Sequence, residues 1–260
     1  MTAALLLGLL IGVLLGLLGG GGSILAVPAL VYGVGMPLRT AIPTSLLVVG
    51  VSALTGLIPR LRTGQIQWRI AAVFGLSGAA AAFGGAAVNR LLPPWVVLAG
   101  FAVLMVAAGL RMLREPSDTG GACALPGGGV HWQTCLPKAI ATGAVVGFLT
   151  GLFGVGGGFL IVPALVLLLG LPMTAAVGTS LVIVAVNAAA GFVAYAGQVT
   201  LDYTLTAAFA GSAIVGSLVA GRAATRLNAG RLRRWFAYLV LAVAALVVVL
   251  LIIDPAAIEK

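Results

Sequence analysis

The segment GLLGGGGSILAVPALV at positions 16–31 returns as GLFGVGGGFLIVPALV at 151–166. Aligned without gaps, 16–60 and 151–195 agree at about 21 of 45 positions. Gly35 and Pro37 match Gly170 and Pro172, Thr44-Ser45-Leu46 matches Thr179-Ser180-Leu181, and Gly56 matches Gly191. After a slip of two residues, Gly64-Gln65 pairs with Gly197-Gln198. Apolar sequences match by chance, but Pro and Gly at fixed offsets do not. The architecture must therefore be two copies of one unit, 1–113 and 138–260, joined by the polar segment 114–137.

Composition decides what surrounds these units. Hydrophobic residues make up 62% of the 260, charged residues 7%, and mean hydropathy is +1.23. A soluble domain carries roughly a quarter charged residues. This chain cannot cover a globule with polar side chains, so lipid is its main solvent. Each half holds one very long apolar stretch and three ordinary spans: 3–35, 40–59, 68–89 and 95–113, then 139–170, 174–196, 203–221 and 235–253. Residues 1–18 lack the basic start and small-x-small cleavage pattern of a secretory signal, and are expected to stay in the mature chain.

A stretch of about 32 residues would be near 48 Å long as one helix, against a hydrocarbon core of about 30 Å. Each long stretch carries glycines at its middle, Gly19–Gly22 and Gly154–Gly158, where a chain can leave helical geometry. Either the helix bends and crosses once, or it breaks and doubles back. Single crossing divides the basic residues seven against seven. Doubling back puts Arg60, Arg62, Arg69, Arg111, Arg114, Lys138, Arg222, Arg226, Arg231, Arg233 and Arg234 on one side. Only Arg39, Arg90 and Lys260 then face the other. Positive charge collects on the cytoplasmic side. The expected fold is thus an all-α polytopic membrane protein of two inverted repeats, each a glycine-broken hairpin followed by three transmembrane helices. Both termini are expected outside the cytoplasm, in the cell membrane of a prokaryote.

Gly8, Gly12, Gly16 and Gly20, like Gly143, Gly147 and Gly151, recur every four residues and predict a bare ridge for close helix packing. The denser clusters have more glycine than a ridge needs. Each precedes a short apolar segment that would start a half-helix inside the membrane with open N–H groups. Those groups need a partner, and helix N-termini favour anions. Inverted repeats with interrupted helices at the midplane are the architecture of many secondary transporters. The candidate substrate site therefore comprises Gly20, Gly21, Gly22 and Ser23 with Gly156, Gly157 and Gly158. Thr44, Ser45, Thr179 and Ser180 add hydroxyls, and Asn187 adds an amide. A hairpin closed on its own turn is the competing account of the clusters. The hydroxyls could equally bond their own helices, and Asn187 a neighbouring helix.

These same motifs, with GMPLRTAIPTSL and GLPMTAAVGTSL, resemble the sulfite exporter TauE/SafE family of membrane transporters. The resemblance covers nearly the whole chain outside 114–137. It implies export or uptake of small anions, often sulfur-containing ones such as sulfite or sulfonates. The first cluster reads Gly-Gly-Gly-Gly-Ser and the second Gly-Val-Gly-Gly-Gly, so the two need not be equivalent.

Other functions find less support. The five acids, Glu115, Asp118, Asp202, Asp254 and Glu259, all lie outside the centres of the spans, and His131 is in the linker. No embedded proton carrier is therefore expected. Gly75-Leu76-Ser77-Gly78 resembles the Gly-x-Ser-Gly of intramembrane serine proteases, but no span offers a histidine base, and no enzyme activity is expected. A scaffold without transport is a further alternative. No basic run carries stacking aromatics, which argues against nucleic acid. Lipid and a small anion are the expected partners, and a homo-oligomer is compatible with the sequence. No cofactor or metal is expected: Cys123, His131 and Cys135 are too few and too widely spaced. With the linker in the cytoplasm, Cys123 and Cys135 are expected as unpaired thiols. Arg60 and Arg62 are read as ordinary topology charges that could also draw anions in.

Overall fold

The computed structural model describes residues 2–61, 64, 66–89, 91–114, 132–153, 158–195 and 203–253. Helix α1 runs Thr2–Leu18 and ends at Gly19, whose φ of 75° belongs to the left-handed region. After Gly19–Gly22 the chain re-enters helix as α2, Ser23–Pro28, which widens into a π turn over Ala29–Gly33. This half-helix runs back along α1. Gly22 packs against Ile11 and Leu15, while Gly33 lies against Leu7. The long apolar stretch is therefore a broken hairpin, as its excess length predicts.

The second half repeats the design. Helix α6, Trp132–Phe153, is followed by α7, Gly158–Pro163, and a π turn over Ala164–Leu168. In both halves the π turn begins on the residue after a proline, Pro28 or Pro163. Proline withdraws one N–H from the ladder and crowds the carbonyl four residues back, and the wider turn comes at once. Gly35 (φ 77°) and Gly170 (φ 66°) then end the half-helices. The N–H groups of Met36 and Leu171 reach back to Leu30 O and Leu165 O, each at 3.0 Å.

The remaining helices are α3 (Leu38–Leu61), α4 (Trp68–Asn89), α5 (Pro94–Arg114), α8 (Met173–Tyr195), α9 (Tyr203–Arg226) and α10 (Ala229–Ile253). Among the described residues six helices, α3, α4, α6, α8, α9 and α10, are long and apolar enough to cross a bilayer. No strand occurs among the described residues. Leu76 and Phe83 on α4 are 75% and 81% exposed, an apolar face suited to lipid.

Packing is organised by the glycine ridges. Gly8, Gly12 and Gly16 of α1 lie on the backbone of α9 at Phe209, Ala213 and Ser217, so these helices run parallel. Gly143, Gly147 and Gly151 of α6 meet Phe74, Gly78 and Ala82 of α4 in the same way. Each ridge thus packs on a helix of the other half. Helices α3 and α8 cross between them, with Leu46 at Gly191, Gly50 at Ala188 and Gly56 at Leu181, an antiparallel register. Helices α5 and α10 are antiparallel too, with Gly109 at Leu241 and Met112 at Arg233.

One expectation fails in the linker. Cys135, fully buried on the first turns of α6, is disulfide-bonded rather than a thiol. The one other cysteine of the chain, Cys123, lies outside the described residues, as does His131. Burial at the foot of α6 holds the Cys135 sulfur in one place, which a free loop would not do.

Candidate functional site

The two breaks come together. Gly20 of the first lies against the carbonyl of Gly158, the first residue of α7. A Cβ on Gly158 would stand 3.0 Å from Gly20 O and would also meet Ser23 Oγ. Under the repeat alignment Ser23 and Gly158 are equivalent positions, so corresponding points of the two half-helices meet. Gly20 and Gly158 are required here because any side chain would hold the backbones apart.

The first break is buried throughout Gly19–Gly22, yet its polar groups are unevenly satisfied. Gly19 N–H donates to Leu15 O at 2.8 Å, closing α1. Ser180 Oγ, from α8 of the other half, shares its one hydrogen between Gly19 O at 2.8 Å and its own Val177 O at 2.9 Å. Ser23 Oγ donates to Gly20 O at 2.7 Å. On the donor side, no side chain caps α2 at Gly22, and the N–H groups of Gly20, Gly21 and Gly22 reach no backbone acceptor among the described residues. The carbonyls of Gly19, Gly20 and Gly22 are thus taken, Gly20 O by the Ser23 N–H as well and Gly22 O by the Leu25 N–H. The open N–H groups of Gly20, Gly21 and Gly22 suit a negatively charged guest.

Arg60 adds a cation. It is the largest fully buried side chain of the described residues, 0% exposed, and its Nη2 donates to Gly16 O at 3.2 Å. In an unbroken helix that carbonyl would take the N–H of residue 20. The break has turned that N–H away, and the guanidinium has taken its place at the end of α1. Arg60 is therefore not an ordinary topology charge at the membrane surface. Burial at the break separates it from the exposed arginines, and the expectation is corrected on that point. Arg62 lies outside the described residues. At the second break the corresponding end of α6 is met by Asn89, whose Nδ2 donates to Leu152 O at 2.6 Å. One break carries a guanidinium and the other a neutral amide.

The other candidates divide. Gly21 faces α10, near Leu239 and Phe236, and Gly22 faces α1, so neither touches the second half-helix. Thr44 and Ser45 are buried but bond their own helix, at Thr40 O and Ile42 O, both 2.7 Å. Thr179 Oγ1 accepts the N–H of Gln67 at 3.1 Å, tying α8 to the turn before α4. Asn187 is half-buried on α8, three residues beyond Val184. Gly156 and Gly157 lie outside the described residues. Ser77 Oγ donates to Phe74 O at 3.2 Å and packs on Gly143, a helix-to-helix contact.

Sequence reasoning missed Asn89 and gave Arg60 only as a flanking charge that could draw anions in, not as one buried at the break. A charged residue within the last turn of an apolar helix was visible at Arg60, but nothing local said that it turns inward. For Asn89, at the end of α4, there was no signal beyond its polarity.

Comparison with known proteins agrees with this architecture. The family model described as "Sulfite exporter TauE/SafE" matches residues 4–247. A "Probable membrane transporter protein" of Xylella fastidiosa (strain Temecula1) is 39% identical over 247 residues, covering 93% of this chain and 92% of its own. The "Probable membrane transporter protein YdhB" of Bacillus subtilis is 26% identical over 193 residues, 72% of this chain and 74% of its own. No solved structure matches the chain. With the broken hairpins, the six apolar helices and a match along nearly its full length, the chain belongs to the sulfite exporter TauE/SafE family of multi-pass membrane transporters.

Proposed function

We propose that this transporter moves small anions across the cell membrane, with the anion held where the two breaks meet. The observation that carries the proposal is the buried, uncapped start of α2 beside the buried guanidinium of Arg60. Gly20, Ser23 and Gly158 shape the meeting point, and Ser180 fixes Gly19 from the other half. Gly21, Gly22, Gly156 and Gly157 supply backbone amides. Thr44 and Ser45 bond back within α3, Thr179 ties α8 to the turn before α4, and Asn187 lines the route farther along α8. Sulfite and short organosulfonates are the substrates that the family description suggests, being compact oxyanions that accept several hydrogen bonds.

The halves 1–113 and 138–260 act as inverted repeats. Support comes from the antiparallel register of α3 on α8 and of α5 on α10, which are equivalent helices under the sequence repeat. Both termini then face away from the cytoplasm, and the arginine-rich ends face it. An inside-negative potential drives an anion outward by about 2.3 kcal/mol per charge per 100 mV, so export needs no embedded acid.

Counterflow in proteoliposomes tests this. Labelled sulfite or a short sulfonate should accumulate against unlabelled anion inside, and Gly20→Val should abolish it without loss of insertion. Absence of exchange for every anion would favour a scaffold, and exchange of neutral solutes alone would assign another substrate class.

A further inference from the structure

The end shared by α5 and α10 holds a guanidinium nitrogen that no acceptor among the described residues meets. Arg233, on the second turn of α10, is 5% exposed, and its Nε donates to Met112 O at 2.6 Å. Its Nη2 is buried and has no acceptor among the described residues. Met112 lies in the last turn of α5, where unpaired carbonyls point out along the axis toward the helix end. The guanidinium therefore closes the C-terminal end of α5 at the rim of the helix pair.

Exposed Arg111 and Arg114 share that turn of α5, and exposed Arg231 and Arg234 flank Arg233 on α10. The described residues contain no Asp or Glu to balance them. Away from this end, α10 presents Trp235, Tyr238, Leu246 and Val249 at helical spacing, all exposed. The first two are the amphipathic rings found at headgroup level, and the others continue an apolar stripe along the helix.

We propose that this end of the α5–α10 pair binds the headgroup phosphate of an anionic phospholipid. The phosphate oxygens accept from the neighbouring exposed arginines and, once a side-chain rotation brings it to the surface, from Arg233 Nη2, and an acyl chain lies along the Trp235–Val249 stripe. Basic pockets between helices on the cytoplasmic side are suited to such lipids, and guanidinium–phosphate bonds are charge-assisted. The apolar stripe below the charges is what selects a lipid over a soluble phosphate.

The test uses the purified full chain in detergent, titrated with phosphatidylglycerol or phosphatidylcholine of the same acyl chains and monitored by native mass spectrometry. Phosphatidylglycerol should be retained and phosphatidylcholine should not. Arg233→Gln should weaken retention about tenfold. The pair Arg111→Gln with Arg234→Gln alters only exposed side chains, so it should weaken retention without disturbing packing. Equal retention of the two lipids, or unchanged retention in both variants, overturns the proposal. Displacement by inorganic phosphate at equal concentration would also overturn it, assigning the site to a soluble anion.

Discussion

At the residue scale, glycines that look alike in sequence have different duties. Gly20→Ala would drive a methyl into the Gly158 carbonyl, and overpacking of this kind costs about 1–3 kcal/mol. Anion flux should fall at least tenfold while membrane insertion persists, as measured by exchange in proteoliposomes and by membrane fractionation. Gly211 of α9 has open space where its Cβ would stand. Gly211→Ala should keep full flux and raise the thermal midpoint, since alanine favours helix by about 1 kcal/mol. Ser180→Ala removes the bond to Gly19 O and should cost about 1 kcal/mol of stability. Arg60→Gln keeps an amide to meet Gly16 O but removes the charge, so anion affinity should fall more than thermal stability does. The contrast between Gly20 and Gly21 was not legible in the sequence. A run of identical residues gives no sign of which one points at the other half, and that is decided by how α7 approaches. Thr44 and Ser45 show the same limit: their hydroxyls turn back onto Thr40 and Ile42, as serine and threonine in apolar helices often do.

At the element scale, the sequence was more informative. The excess length of 3–35 and its central glycines implied a hairpin, and Gly33 lies beside Leu7 as that requires. The four-residue glycine spacing implied a packing ridge, and Gly8, Gly12 and Gly16 form one. Its partner was not legible, because α9 belongs to the other repeat and ridge spacing names no target. The π turns after Pro28 and Pro163 also escaped, since one extra residue per turn leaves no mark on hydropathy. Replacing both prolines with alanine restores two N–H groups and should let Ala29–Gly33 and Ala164–Leu168 relax toward α-helix. Losing the extra residue of each wide turn rotates the rest of the half-helix by about 100°. Thermal unfolding in detergent should then show a lower midpoint than the parent, because Leu30 and Leu165 leave their buried positions.

For the whole molecule, exchanging the halves leaves the packing pattern unchanged: α1 on α9 answers α6 on α4, while α3 meets α8 and α5 meets α10. The proposed inversion would account for equivalent helices being antiparallel, and under it both termini lie on one side. A reporter fused at the C-terminus should therefore be active outside the cytoplasm, and cytoplasmic activity would contradict the doubled-back topology. The disulfide at Cys135 pulls the other way, since disulfides are rare in the cytoplasm. Even with Arg60 set aside as buried, ten basic residues outweigh one bond as a guide to orientation. The most direct measurement concerns the breaks themselves. Combined glycine labelling, with 13C at the carbonyl and 15N at the amide, isolates Gly-Gly peptide bonds, including those within Gly19–Gly22 and Gly156–Gly158. In liposomes, solid-state NMR should show these amides shifting as sulfite is titrated, while the Gly84-Gly85 bond on α4 stays fixed. Break amides that remain unmoved at saturating anion, with transport intact, would place the substrate elsewhere.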